Sequence, residues 1–138
     1  MNEVVYSKIS FLCSKKEMCF FDVLNYLRKY KNLTKEEKIE IANKLKEENF
    51  IDEQRFANAF VNDSYKYNKW GKLKIINELK SKNIPQDIID NAINTIDPEI
   101  YESIKNNLAE NKRNLISDDD QQKELKVKKY LYSKGFEV

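Results

Sequence analysis

No histidine occurs among the 138 residues, and glycine, proline and cysteine occur only twice each. Each scarcity removes a class of chemistry. Without histidine there is no Ser-His-Asp triad, no imidazole general base and no histidine metal site. A P-loop or a dinucleotide fingerprint gathers several glycines within a few positions, and Gly71 and Gly135 lie far apart. Cys13 and Cys19 are too few for the disulfide framework of a secreted chain of this size and read as reduced thiols in the core of the first helical unit. No stretch approaches the ~18 apolar residues of a membrane span, and Met1 to Tyr6 lack the basic and apolar regions of a targeting segment. The sequence thus reads as soluble and cytoplasmic, with no membrane partner.

What is present favours helices. Lys, Glu, Leu, Ile and Asn dominate, and the 41% hydrophobic and 35% charged residues suit a slender molecule with a high ratio of surface to core. Apolar residues recur at helical spacing, as in Phe20, Phe21, Leu24 and Leu27 or Leu73, Ile76 and Leu79, and the pattern predicts about eight helices. Thr34 followed by Glu37 forms a capping box, Asp52 reads as an N-cap, Pro85 as a first-turn residue and Asp97-Pro98 as a further helix start. Asp118, Asp119 and Asp120 precede the last helix. They read as carboxylates at the positive end of its macrodipole, with metal binding as the alternative.

The chain also repeats itself. EMCFFDVLNYLRKY, KWGKLKIINELKSK and QQKELKVKKYLYSK align without gaps at an offset of 52 residues, so that Phe21, Leu73 and Leu125 correspond, as do Leu27, Leu79 and Leu131. Such spacing predicts an all-α tandem array of three-helix repeats, in three copies with the third incomplete, elongated and curved. The expected units are residues 1–50, 51–97 and 98–138.

The middle unit carries Phe50-Ile51-Asp52, Arg55-Phe56-Ala57, Gly71 with Lys74-Ile75, and Leu79 with Lys82 and Ile84. These elements resemble the signature of the RecX family of RecA regulators. Glu53 stands where the family usually has a second Asp, and Asn83 where it favours Gly. The resemblance implies a regulator that binds the RecA filament on single-stranded DNA and limits RecA activity in recombination, repair and the SOS response, acting by occupancy and without a cofactor.

Charge is segregated by helix although the net charge is only +2. Between Ser64 and Ile84, Lys66, Lys69, Lys72, Lys74, Lys80 and Lys82 face Glu78 alone, and between Gln121 and Phe136, Lys123, Lys126, Lys128, Lys129 and Lys134 face Glu124 alone, with Lys126, Lys128 and Lys129 as the candidate contacts. Stacked repeats would draw these lysines into a positive stripe able to follow a phosphate backbone or an acidic groove, with Trp70 beside it as a stacking group. The plainer alternatives are a solvated helix face for the lysines and a packing role for Trp70. Asp52 and Arg55 read as a cap and an inter-helix partner. No carboxylate cluster or activated cysteine singles out a catalyst, so the chain is read as a monomeric regulator that is not an enzyme, against two alternatives: a stand-alone helical DNA-binding module and a protein-interaction scaffold.

Overall fold

The computed structural model describes residues 2–138, which form eight helices and no strand. They are α1 (Glu3–Lys15), α2 (Phe20–Leu27), α3 (Lys35–Glu47), α4 (Glu53–Lys66), α5 (Lys72–Ser81), α6 (Gln86–Ile93), α7 (Pro98–Asn114) and α8 (Asp120–Ser133). Local chemistry starts most of them. Thr34 and Glu37 close the reciprocal capping box on α3, while Asn2, Asp52, Asp97 and Asp119 each accept a hydrogen bond from a backbone N–H of the first turn they precede. Pro85 sits one position earlier than expected: it is the N-cap of α6, and Gln86 is the first helical residue. In the acidic run Asp119 is the cap, Asp120 opens α8 and Asp118 pairs with Lys126.

The helices recur in the order of the sequence repeat. The first three, the next three and the last two occupy matching places, and the middle helices α5 and α8 end with the same device. Asn83 (φ 60°) and Gly135 (φ 95°) adopt the left-handed conformation, and the following Ile84 and Phe136 donate from their backbone N–H to the carbonyls of Leu79 and Leu131. Each of these two apolar residues then turns into the core, Phe136 with no exposed surface.

Burial falls into two clusters. The first gathers Val5, Ile9, Cys13, Val23, Leu27, Ile41, Leu45 and, at its far end, Ile51. The second runs unbroken from Phe56 through Ile75, Leu79 and Ile89 to Val127, Leu131 and Phe136, so the second and third repeats share one core. Cys19 corrects the sequence reading. Although fully buried, it belongs to the second cluster, because as N-cap of α2 it points across the junction toward the next repeat.

The junctions differ accordingly. Between the first and second repeats the bonds are polar: Arg55 Nε lies 2.7 Å from a Glu17 carboxylate oxygen, Phe20 N–H donates to Glu53 at 2.8 Å, and Lys82 Nζ meets Asp22 at 2.6 Å. Between the second and third, backbone meets backbone. Gly71 N–H donates to Lys134 O at 2.8 Å and Leu73 N–H to Gly135 O at 2.9 Å, so the C-terminus of α8 caps the N-terminus of α5. The C-terminal end of α5 in turn reaches the first turn of α2 through Lys82, and the three middle helices thereby form a head-to-tail spine. The accessible surface is 8735 Å², against about 7,500 Å² for a compact monomer of this mass. The array is elongated.

Candidate functional site

The two glycines of the chain touch one another, and the basic groups collect around that contact. A Cβ at Gly71 would lie 2.3 Å from the Gly135 carbonyl carbon, so only glycine lets the two helix ends approach this closely. Tyr101, buried at the start of α7, completes the joint: its hydroxyl accepts from Lys72 N–H at 2.9 Å and its ring lies 5.3 Å from that of Phe136.

The α4–α5 loop projects from this joint. Lys66 ends α4, Tyr67 is exposed, Lys69 holds a positive φ of 60° and Trp70 turns back toward the core. From Ser64 to Asn77 there is no carboxylate. Lys66, Lys69, Lys72 and Lys74 therefore gather at one place, and two lysines that were not expected as contacts, Lys134 and Lys105, join the same junction. Lys134 supplies the carbonyl that caps Gly71, and Lys105 Nζ donates to Glu137 O at 2.8 Å. Lys134 belongs to the second basic run of the sequence, but its place at the joint, like that of Lys105, follows only from docking of α7 and α8 against α5. Burial raises the pKa of the Tyr101 hydroxyl, and the charges of Glu137 and Glu102 add to the rise.

The aromatic neighbours are partly engaged. Trp70 packs edge-on against Phe60 with ring centroids 6.3 Å apart, and Lys74 Nζ lies 4.5 Å over its face. Lys72 Nζ is 4.9 Å from the Tyr101 ring. Both lysines thus set their cationic heads over aromatic rings.

The remaining lysines of the sequence reading lie elsewhere. With Ile75 and Leu79 buried, Lys74 and Lys80 fall on opposite flanks of α5, ~120° apart around its axis. Lys82 is part-buried and committed to Asp22. On α8, Lys126 and Lys129 line a cleft with Lys112 and Tyr130, where Lys126 is held by Asp118; Lys128 lies in a different hollow beside Glu124. The basic residues thus form a main patch at the joint of the second and third repeats and a smaller one on the third, while Lys80, Lys82 and Lys128 stand apart.

Asp52 and Arg55 hold structure: Asp52 caps α4, and Arg55 grips Glu17 and the carbonyls of Asn49 and Phe50, with its pKa raised chiefly by the hydrogen bond to Glu17. Burial pushes the Cys13 thiol up to about 11 and the Cys19 thiol to about 12, which leaves both protonated and poor nucleophiles near neutral pH. Among the described residues no helix is long and apolar enough to cross a membrane, and no three acidic or cysteine side chains gather where they could hold a metal ion.

Comparison with known proteins places this arrangement. Residues 52–93 match the family model for RecX, second three-helix domain. The chain is 35% identical over 95 residues to Regulatory protein RecX of Clostridium botulinum (strain Eklund 17B / Type B), a match covering 67% of this chain and 44% of that protein. It is 26% identical over 137 residues to Regulatory protein RecX of Haemophilus influenzae (strain PittEE), covering 99% and 89%. The crystal structure of RecX from Lactobacillus salivarius superposes with a TM-score of 0.82 at 25% identity, over 96% of this chain and 86% of that one. The chain spans about half the length of the first curated relatives it matches, at 44%, 53% and 49%.

Proposed function

Because this chain belongs to the RecX family of regulatory proteins, we propose that it binds the RecA filament on single-stranded DNA and inhibits RecA activity in recombination, DNA repair and the SOS response. It acts by occupancy in the cytoplasm, as a monomer, with no catalytic step and no cofactor. Its repeats correspond to residues 1–50, 51–97 and 98–138. Lys66, Lys69, Lys72 and Lys74, with Tyr67 and the exposed edge of Trp70, make the main contact; Lys126 and Lys129 make the second.

The observation that carries this reading is the carboxylate-free basic loop held at the glycine joint. A repeat array sets such a loop and the smaller patch on the third repeat at a fixed separation, which suits a polymer of regularly spaced phosphates and protein surfaces. Engagement of about five phosphates gives a log affinity that falls with log salt at a slope of roughly −4 to −5 on duplex and less on single strands. Such binding is weak alone, and protein contacts along the filament supply the rest.

The test is a titration into preformed RecA filaments on single-stranded DNA, following ATP hydrolysis, with binding to naked DNA measured in the same buffer. The expected result is loss of hydrolysis at concentrations that barely bind naked DNA. Reversal of Lys66, Lys69, Lys74 and Lys129 to glutamate spares the structural pairs of Lys82 and Lys126, so it should weaken inhibition with helicity unchanged. Full inhibition by that folded variant removes the lysines from the site. Tight DNA binding with hydrolysis unaffected until the DNA is saturated identifies a stand-alone DNA-binding module, and no response in either assay leaves a protein scaffold.

A further inference from the structure

The first repeat carries a surface that the basic loop does not involve. Between α2 and α3 runs an open groove of about 400 Å³ whose floor is Phe21, Leu24 and Ile39. Phe21 is 39% exposed, an unusual fraction for a phenylalanine that ends in no core. Arg28, Lys35 and Lys38 line the groove with these apolar groups, and no carboxylate does.

Helical geometry explains why the surface is continuous. Phe21, Leu24 and Arg28 fall at the i, i+3, i+7 positions of α2, on a stripe separate from buried Val23 and Leu27, and Lys35, Lys38 and Ile39 share one side of the first turns of α3. The α2 stripe spans ~10 Å, about two helical turns. Two features of the cations point away from stability as their purpose. Lys35 and Lys38 stand in the N-terminal turns of α3, where the helix dipole disfavours positive charge. None of the three takes part in an ion pair among the described residues; Arg28 donates only to the Asn25 side-chain oxygen at 3.3 Å. Nor do the two α3 cations come with the repeat. Aligning the N-caps Thr34 and Pro85 sets Gln86 and Ile89 of α6 at the places of Lys35 and Lys38, and neither carries a charge.

We infer that the α2–α3 groove docks an acidic amphipathic segment of a partner protein, which seats an aromatic or leucine anchor on Phe21, Leu24 and Ile39 and sets carboxylates against Arg28, Lys35 and Lys38. Charge complementarity selects this occupant. Three cations spread along ~10 Å of groove call for several carboxylates at helical or extended spacing, whereas a small apolar acid brings one. A second copy of this chain has no matching acidic stripe in the corresponding groove, since its own carries the same cations. The site is independent of the filament reading, because none of its residues belongs to the basic loop.

The probe is a fluorescein-labelled amphipathic helical peptide of glutamate, leucine and phenylalanine, compared with the same pattern carrying lysine in place of glutamate. Fluorescence anisotropy at low salt is expected to show binding of the glutamate peptide only. The Lys35→Glu/Lys38→Glu variant, which places acidic groups where the α3 dipole favours them and so keeps its fold, should weaken binding by about tenfold or more, and Phe21→Ser should weaken it with the charges intact. Amide chemical-shift changes should map to α2 and α3. Equal binding of both peptides, unchanged affinity of the folded charge variant, or shifts mapping outside α2 and α3 would each overturn the inference. So would displacement of the peptide by decanoate at equimolar concentration, which identifies a small-acid site, or a concentration-dependent dimer that excludes the peptide.

Discussion

Replacing Gly71 by alanine isolates the joint on which the basic loop rests. Its φ of −82° is open to any residue, so the substitution meets no backbone penalty of its own. The difficulty is space. The new Cβ would lie 2.3 Å from both the Gly135 carbonyl carbon and Phe136 N, and both are backbone atoms of a turn anchored by the Phe136-to-Leu131 hydrogen bond and the fully buried Phe136 ring. No rotamer change relieves that contact. The α8 terminus must retreat from α5 by about an ångström, which breaks or stretches the bonds from Gly71 N–H and Leu73 N–H. Two backbone bonds contribute about 1–3 kcal/mol net, overpacking costs about 1–3 kcal/mol, and alanine is the poorer N-cap by some tenths. Together the loss is about 2–6 kcal/mol, a large share of the 5–15 kcal/mol typical of a domain. Urea unfolding followed by circular dichroism reads it as a midpoint lowered by about 1–3 M for a slope of ~2 kcal/mol/M. Hydrogen exchange locates it: protection should fall in α5 and α8 while α1 to α3, which have their own core, keep theirs. A loss below about 1 kcal/mol with native protection in α8 would refute the argument that glycine is needed here for close approach.

Other perturbations separate the remaining contributions. Lys69 holds a left-handed conformation that glycine adopts freely, so Lys69→Gly should stabilise the chain by about 1 kcal/mol and raise Tm by about 3–5 °C; an unchanged or lowered Tm shows that the lysine side chain compensates for its backbone. A double-mutant cycle on Asp22 and Lys82, whose side chains are 22% and 24% exposed, should give a coupling of about 1 kcal/mol that shrinks with salt, and zero coupling would remove this pair from the junction. At pH 8 the native thiols should react with iodoacetamide about two orders of magnitude more slowly than in denaturant at Cys13 and about three at Cys19, because their folded pKa values are about 11 and about 12. Since burial raises these values above the unfolded ~8.5, their stabilisation is complete below that pH and is lost as pH rises through the folded values. Tm should therefore decline in alkali, less steeply in a Cys13→Ser/Cys19→Ser variant, and equal slopes would contradict the burial.

The sequence by itself determined the helices, their order and their repetition, because the interactions responsible are local. A capping box spans four residues from Thr34 to Glu37, apolar periodicity spans a few turns, and the 52-residue repeat re-uses that periodicity. It also marked the lysines as a class, since charge segregation along a helix is a matter of counting. What it could not carry is the partner of each group across the array. Asp22 and Lys82 are 60 residues apart, Gly71 and Gly135 meet through helix ends, and Cys19 joins the core of the following repeat rather than its own. Those assignments depend on how helix termini dock, and docking is set by the fit of side chains and backbone from distant segments. The same step decided which lysines share a surface: two positions on one helix part company once Ile75 and Leu79 choose the buried side, and Lys105 and Lys134 reach the joint only when α7 and α8 close on it.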